Sequence, residues 1–216
     1  LCNTLPHLLI EALDPMLNQK INLSISEKLF LLGLNLSELF PFADELGNIN
    51  KDEFISALLQ QPDLFLRIRP GQNKRVVGKL DEAQIEYNFN EEDCIALTNS
   101  SQIDKIIKLN KEAVIQDLSS QKVLNFFKKN PFENKTVDAW DACAASGGKA
   151  ILLYDLLHGK VKLTVTDIRE GILQNCNKRL QQAGINIYQS FVADLTKEKQ
   201  FTFSNNFDII ICDVPC

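Results

Sequence analysis

A chain of 216 residues, 45% hydrophobic and 24% charged, can bury one good core and a smaller second one. No apolar run approaches the roughly 20 residues of a membrane span, and no signal peptide is visible, although the chain opens on Leu1 and reads as lacking an upstream segment. The net charge of −5 argues against a protein that coats nucleic acid by bulk electrostatics.

Residues 1–62 read as a helical segment. Pro6 to Leu17 is apolar-rich, and Ser26 to Leu32 continues the pattern toward Leu36, Leu39 and Phe40. Asn50 is placed to cap a short helix carrying Phe54, Ala57 and Leu58. No chemistry is legible there.

Residues 63–112 read as a small α+β subdomain. Leu64 to Arg69 is a predicted strand broken by Pro70-Gly71, Gln72 to Glu82 a helix, and Ile85 to Phe89 and Cys94 to Leu97 two further strands. Between Arg67 and Lys79 lie Arg67, Arg69, Lys74, Arg75 and Lys79 with no acid among them. Such a patch can hold phosphates; it can equally be a solvated face.

Residues 113–216 alternate in the manner of a parallel sheet. Asp117 can cap a helix running through Leu118, Val123, Leu124, Phe126 and Phe127. A strand then ends near Trp140, and a helix runs from Gly148 to about Leu157. Lys162 to Thr166 is the next strand, followed by a helix from Glu170 to Ala183 that stops at Gly184. Ile187 to Val192 and Phe207 to Cys212 complete the series.

The six cysteines lie far apart, and Cys143, Cys176 and Cys212 sit inside this α/β pattern, as reduced cytosolic thiols do. Cys212-x-x-x-Cys216 is a poor claw for a metal, since it joins a strand interior to Pro215 and no second pair exists. No metal is expected.

The chemistry gathers where the strands end. Asp141-Ala142-Cys143-Ala144-Ala145-Ser146-Gly147-Gly148-Lys149 is a strand–loop–helix turn of small residues. A backbone so stripped lets a ligand approach closely, and the helix start offers free N–H groups. Asp167, at the end of the next strand, can accept both hydroxyls of a ribose, or it can cap its helix as Asp167-x-x-Glu170. Asp194 can accept from an adenine amino group, or be an ordinary turn aspartate. Gly147-Gly148 lacks the third spaced glycine of a pyrophosphate loop, so a ligand with adenosine and no pyrophosphate suits it better: S-adenosylmethionine. Asp213-Val214-Pro215-Cys216 adds an acid and a thiol, and a thiol that adds to C6 of a pyrimidine makes C5 nucleophilic. Alone, the Pro-Cys pair would be a small buried cysteine.

Taken together, Asp141 to Lys149, Asp167, Asp194 and Asp213-Val214-Pro215-Cys216 resemble the RNA cytosine-C5 methyltransferases of the NOL1/NOP2/Sun family, over roughly residues 64–216. The resemblance implies a Rossmann-like S-adenosylmethionine-dependent methyltransferase domain preceded by a small RNA-binding α/β subdomain. It implies that Cys143, Ala144, Ala145, Ser146, Gly147, Gly148 and Lys149 cradle the methionine end of the cofactor. Asp167 would bind the ribose, Asp194 would lie near the adenine, and Asp213 would sit at the cofactor–cytosine boundary. Arg67, Arg69, Lys74 and Arg75 would face RNA, ribosomal more than transfer. In the family the attacking thiol belongs to a Thr-Cys motif on a following strand, and the Pro-Cys thiol, here Cys216, assists product release. The sequence departs from the pattern in two ways. Ser146 stands where the family has proline, which frees a backbone N–H and φ. The Thr-Cys motif and the last strands have no counterpart, so the parallel sheet reads as incomplete and this chain alone as inactive. A cytoplasmic monomer is expected. The rivals are a transfer-RNA enzyme of the same class, a non-catalytic RNA-binding module of the same fold, an NAD-dependent enzyme using Asp167, and a methyltransferase acting on a protein or small molecule.

Overall fold

The computed structural model describes residues 4–129, 132, 135–186, 188–197 and 206–214. The chain forms two compact units, Leu1–Asp63 and Leu64–Cys216.

The first unit holds α1 (Thr4–Leu13), α2 (Pro15–Gln19), α3 (Ile25–Leu32) and α4 (Lys51–Leu58). The helix expected from Pro6 to Leu17 is broken, because Pro15 drives the preceding residue out of helical geometry (Asp14 φ −156°, ψ 96°). Asp14 then caps the new helix, accepting from Met16 N at 2.9 Å and Leu17 N at 3.2 Å. α3 opens on a capping box between Ser24 and Glu27 and stops at Gly33, whose φ of +64° favours glycine, so the apolar pattern does not continue helically to Phe40. Asn50 caps α4 as expected, accepting from Glu53 N at 3.3 Å. Ile55 is the one buried hydrophobic residue described in this unit, whereas Phe30 is 90% exposed.

The second unit carries two sheets. An antiparallel sheet is built from β1 (Leu64–Ile68), β2 (Asn88–Glu91), β3 (Cys94–Leu97) and β4 (Ala113–Ile115) in the order β2-β3-β1-β4. α5 (Asn73–Glu82) covers it, burying Val76 and Leu80 against Leu66, Ile68 and Ile95. The strand expected from Ile85 to Phe89 starts later, because Ile85 N still bonds Leu80 O in the turn that ends α5 (Gln84 φ +55°). The helix expected from Asp117 through Phe127 splits into α6 (Leu118–Lys122) and a 3₁₀ turn, Asn125–Lys129, with Leu124 and Phe127 folded into the core.

The parallel sheet comprises β5 (Val137–Asp141), β6 (Val161–Asp167), β7 (Tyr188–Val192) and β8 (Ile209–Ile211), ordered β7-β6-β5-β8. α7 (Gly148–Leu156) links β5 to β6, and α8 (Glu170–Gln182) links β6 to β7. Val137, Ala139, Ile151, Leu153 and Val165 are fully buried between them, and an aliphatic side chain so buried contributes about 1.5–3 kcal/mol. From β5 the chain moves outward through β6 and β7, then returns to the other flank of β5 as β8. The carboxyl ends of β5 and β8 are therefore the switch point, where a crevice opens in such sheets.

Arg67 and Arg69 tie the two sheets together. Arg67 of β1 and Arg69 just after it both turn inward onto Asp155 of α7, Arg67 Nη1 at 2.7 Å and Arg69 Nη2 at 2.7 Å, with all three side chains at most 10% exposed. The expectation that they face RNA is thus corrected: they are buried donors to Asp155, not an open basic surface. Lys79 pairs with buried Glu112 at 2.7 Å, and Lys74 and Arg75 stay on the surface.

Candidate functional site

β5 delivers the loop to the switch point. Ala142 N bonds Ile211 O at 2.9 Å, so the loop leaves the sheet beside the end of β8. Ala144 N bonds Thr166 O at 2.8 Å and Ala145 N bonds Asp167 Oδ2 at 3.0 Å, which fold the loop back over β6. Two residues here have left-handed φ, Ala145 (+46°) and Gly147 (+80°), and Gly147 N closes the turn on Ala144 O at 2.8 Å. α7 begins at Gly148.

The two glycines differ in kind. A Cβ on Gly147 would meet Cys176 Sγ at 2.7 Å, so the fold itself demands glycine. A Cβ on Gly148 would meet nothing of the protein nearer than Gln116 Nε2 at 3.6 Å, yet Gly148 lines the crevice. A methyl at Gly148 would thus fit against Gln116 in ordinary contact, but on the crevice wall.

That crevice encloses about 160 Å³, with Asp141, Cys143, Ala144, Ala145, Ser146, Gly148, Lys149 and Asp213 among its walls, together with Gln116, Asp117 and Arg179. Asp141 is 1% exposed, and no side chain donates to its carboxylate; the backbone N–H of Ala150, in the first turn of α7, is the one donor that bears on it, too loosely to satisfy both oxygens. Burial, assisted by the charges of Asp213 and Asp167 and opposed by Lys149, pushes its pKa up to about 7. Lys149 Nζ pairs instead with Asp213, which is 55% exposed. Burial also raises the Cys143 thiol above its usual range.

Asp167 is buried and fully bonded. It accepts from Ala145 N, from Arg169 N at 2.9 Å and from Arg169 Nε at 3.0 Å. Burial alone would raise its pKa, but these bonds outweigh it and hold the carboxyl below its ordinary value. Arg169, not Asp167, is the N-cap residue of α8, so the capping box read from Asp167-x-x-Glu170 does not form. Asp194 makes a tight local turn, accepting from Thr196 Oγ1 at 2.7 Å and Thr196 N at 3.1 Å, and these bonds lower its pKa. It is not among the walls of the crevice. Cys216 lies outside the described residues.

Ile115, Gln116, Asp117, Ser120, Asp141 and Arg179 are wall residues that the sequence reading did not assign to the site, and of these Asp141 and Arg179 carry the unmet charge. Asp141 stood at the head of the motif; its signal was the period-2 pattern that puts it on the inward face with buried Val137 and Ala139. Arg179 gave no local signal. Among the described residues, no group of three or more His, Cys, Asp or Glu side chains could hold a metal ion, and no helix is long and apolar enough to cross a membrane.

A small-residue turn over a parallel sheet, with acids at the ends of successive strands, is a Rossmann-like architecture with its ligand crevice at the switch point. Solved structures share it: PH0851 superposes with a TM-score of 0.71 at 18% identity, over 83% of this chain and 41% of that one. NSun6 from Pyrococcus horikoshii, solved with SFG, superposes with a TM-score of 0.61 at 12% identity, over 83% of this chain and 72% of that one. Residues 127–216 match the family model described as 16S rRNA methyltransferase RsmB/F, and over this stretch the resemblance read from the motifs holds. The probable ribosomal RNA small subunit methyltransferase B of Bacillus subtilis (strain 168) is 28% identical over 133 residues, 62% of this chain. The chain spans 29% of that relative's length.

Proposed function

We propose that this chain carries the cofactor-binding part of an S-adenosylmethionine-dependent methyltransferase that modifies C5 of a cytosine in RNA, ribosomal RNA before transfer RNA. The observation that carries the cofactor half is the carboxyl of Asp141, buried in a switch-point crevice with no side-chain donor and only the backbone N–H of Ala150 bearing on it, so that its two oxygens are not both bonded. A buried polar group left unbonded costs about 1–3 kcal/mol, and a ligand ammonium would supply the missing donor.

S-adenosylmethionine supplies the methyl group when bound. In this reading the loop from Cys143 to Lys149 takes the amino-acid end, with Asp141 beneath it. Asp167 takes the ribose by exchanging the side chain of Arg169 for the ligand hydroxyls, while the backbone N–H groups of Ala145 and Arg169 keep its carboxylate oriented. Asp194 lies toward the adenine. Asp213, exposed at the end of β8 and paired with Lys149, faces the base. Cys216 keeps the product-release role that the resemblance gives it. Lys74 and Arg75 remain the candidate phosphate contacts of the small subdomain.

Competition binding tests the RNA half. A labelled small-subunit ribosomal RNA fragment is displaced by unlabelled ribosomal or transfer RNA, with demethylated cofactor present throughout. Preferential displacement by ribosomal RNA is expected, weakening steeply with salt. Preferential displacement by transfer RNA would favour that substrate, and a chain that binds neither would defeat the RNA reading.

A further inference from the structure

We infer that Arg179 is the carboxylate-binding residue of the crevice: its guanidinium, held by Ser146 and Asn110, receives the carboxylate of the α-amino acid end of the cofactor. The inference rests on the cofactor reading above and adds to it a residue and the ligand group that it meets.

Arg179 projects from α8 into the wall of the crevice. Its Nε donates to Asn110 Oδ1 at 2.9 Å, and its Nη1 donates to Ser146 O at 3.0 Å and to Ser146 Oγ. All three acceptors are neutral. Buried guanidinium groups elsewhere in the unit have acids: Arg67 and Arg69 share Asp155. Among the described residues no carboxylate pairs with Arg179, although it is partly buried, and burial draws its pKa down with only the Cys176 thiol to oppose it. Desolvated charges are ordinarily compensated, so an uncompensated one in a cavity wall calls for a negative ligand group. Nη2 has no hydrogen bond to any of the described residues, so the planar fork keeps one edge for an incoming oxygen.

The same crevice holds the opposite demand. Asp141 has no donor but the backbone N–H of Ala150, and Arg179 has no anion among the described residues. One group answers both, a zwitterionic amino acid, with its ammonium on Asp141 and its carboxylate on Arg179. The arginine is also held in advance of binding. Asn110, with φ at +64°, is fixed by its N–H to Ala113 O at 2.7 Å and by Nδ2 to Gln182 Oε1 at 2.8 Å. Preorganisation of this kind spares the ligand the cost of ordering its partner.

The test compares S-adenosylmethionine with its decarboxylated analogue, which lacks only the carboxylate, by calorimetric titration of the wild type and of Arg179→Gln. The wild type is expected to prefer the carboxylate form by roughly 10- to 100-fold, the weight of one charge-assisted hydrogen bond. In Arg179→Gln the preference collapses, because only the carboxylate form weakens. Equal weakening of both compounds would mean that Arg179 only braces Ser146, and would overturn the inference. So would a wild type that binds both compounds equally, a result that needs no variant to fold. A wild type that binds neither compound would overturn the cofactor reading, and this inference with it.

Discussion

Gly147 and Cys176 are packed so closely that the loop admits no side chain: a Cβ on Gly147 would stand 2.7 Å from the sulfur on α8. The loop that opens α7 is thus seated on the helix that follows the next strand, and its φ of +80° is the second reason for glycine there.

Two alanine variants separate the roles of the adjacent glycines. Gly147→Ala combines a left-handed φ, about 1–2 kcal/mol for an L-residue, with the clash on Cys176, so chemical denaturation should show a loss of at least that size. Gly148→Ala meets only ordinary contact at 3.6 Å and should leave stability within about 0.5 kcal/mol while weakening cofactor binding. Equal stability losses in the two variants would refute the distinction.

Arg67, Arg69 and Asp155 make a second test, of folding rather than function. Removing Asp155 leaves two buried guanidinium groups facing each other without their acid, and a pair broken in this way costs about 3–5 kcal/mol. Asp155→Ala should therefore lower the urea midpoint sharply. A loss below about 1 kcal/mol would show that the cluster is solvated in solution.

Asp141 predicts a dependence of stability on pH. Its carboxyl holds its proton up to about pH 7 when folded, against about pH 4 for an ordinary aspartate. Between those values the folded state binds more protons than the unfolded state, so stability falls as pH rises through this window. The penalty is absent below the window and complete above it, at about 4 kcal/mol as an upper figure. Asp141→Asn should match the wild type near about pH 4 and exceed it near about pH 8. Melting curves at both pH values check this, and a difference that does not change with pH would contradict it. Stability given up at a ligand site is the usual cost of function.

Sequence alone revealed most of the parallel half of the fold. β5, α7, β6 and α8 are marked by apolar runs and by Gly148 and Gly184, and their observed bounds lie close to the expected ones. What escaped was set at long range. Nothing near Arg67 announces that its acid lies 88 residues away on α7, so a run of basic residues read as surface turned out to be partly core. β4 spans three residues, too few for a period-2 pattern to register. The Asp14–Pro15 break was written in the chain, but the apolar pattern on both sides concealed it. In the site, the small-residue loop and its strand-end acids were readable as a motif. That Asp141 has no side-chain donor and Arg179 no acid among the described residues follows only from packing, since each depends on which groups fail to arrive.

The measurement that bears most directly on the account is thermal unfolding of the chain with and without S-adenosylhomocysteine, with NAD as the control. A ligand present at 100 times its dissociation constant stabilises by about 2.7 kcal/mol, so a clear rise in Tm with the first compound and none with NAD is the predicted result. An unchanged Tm with S-adenosylhomocysteine, or a larger shift with NAD, would contradict the assignment of the crevice at the ends of β5 and β8.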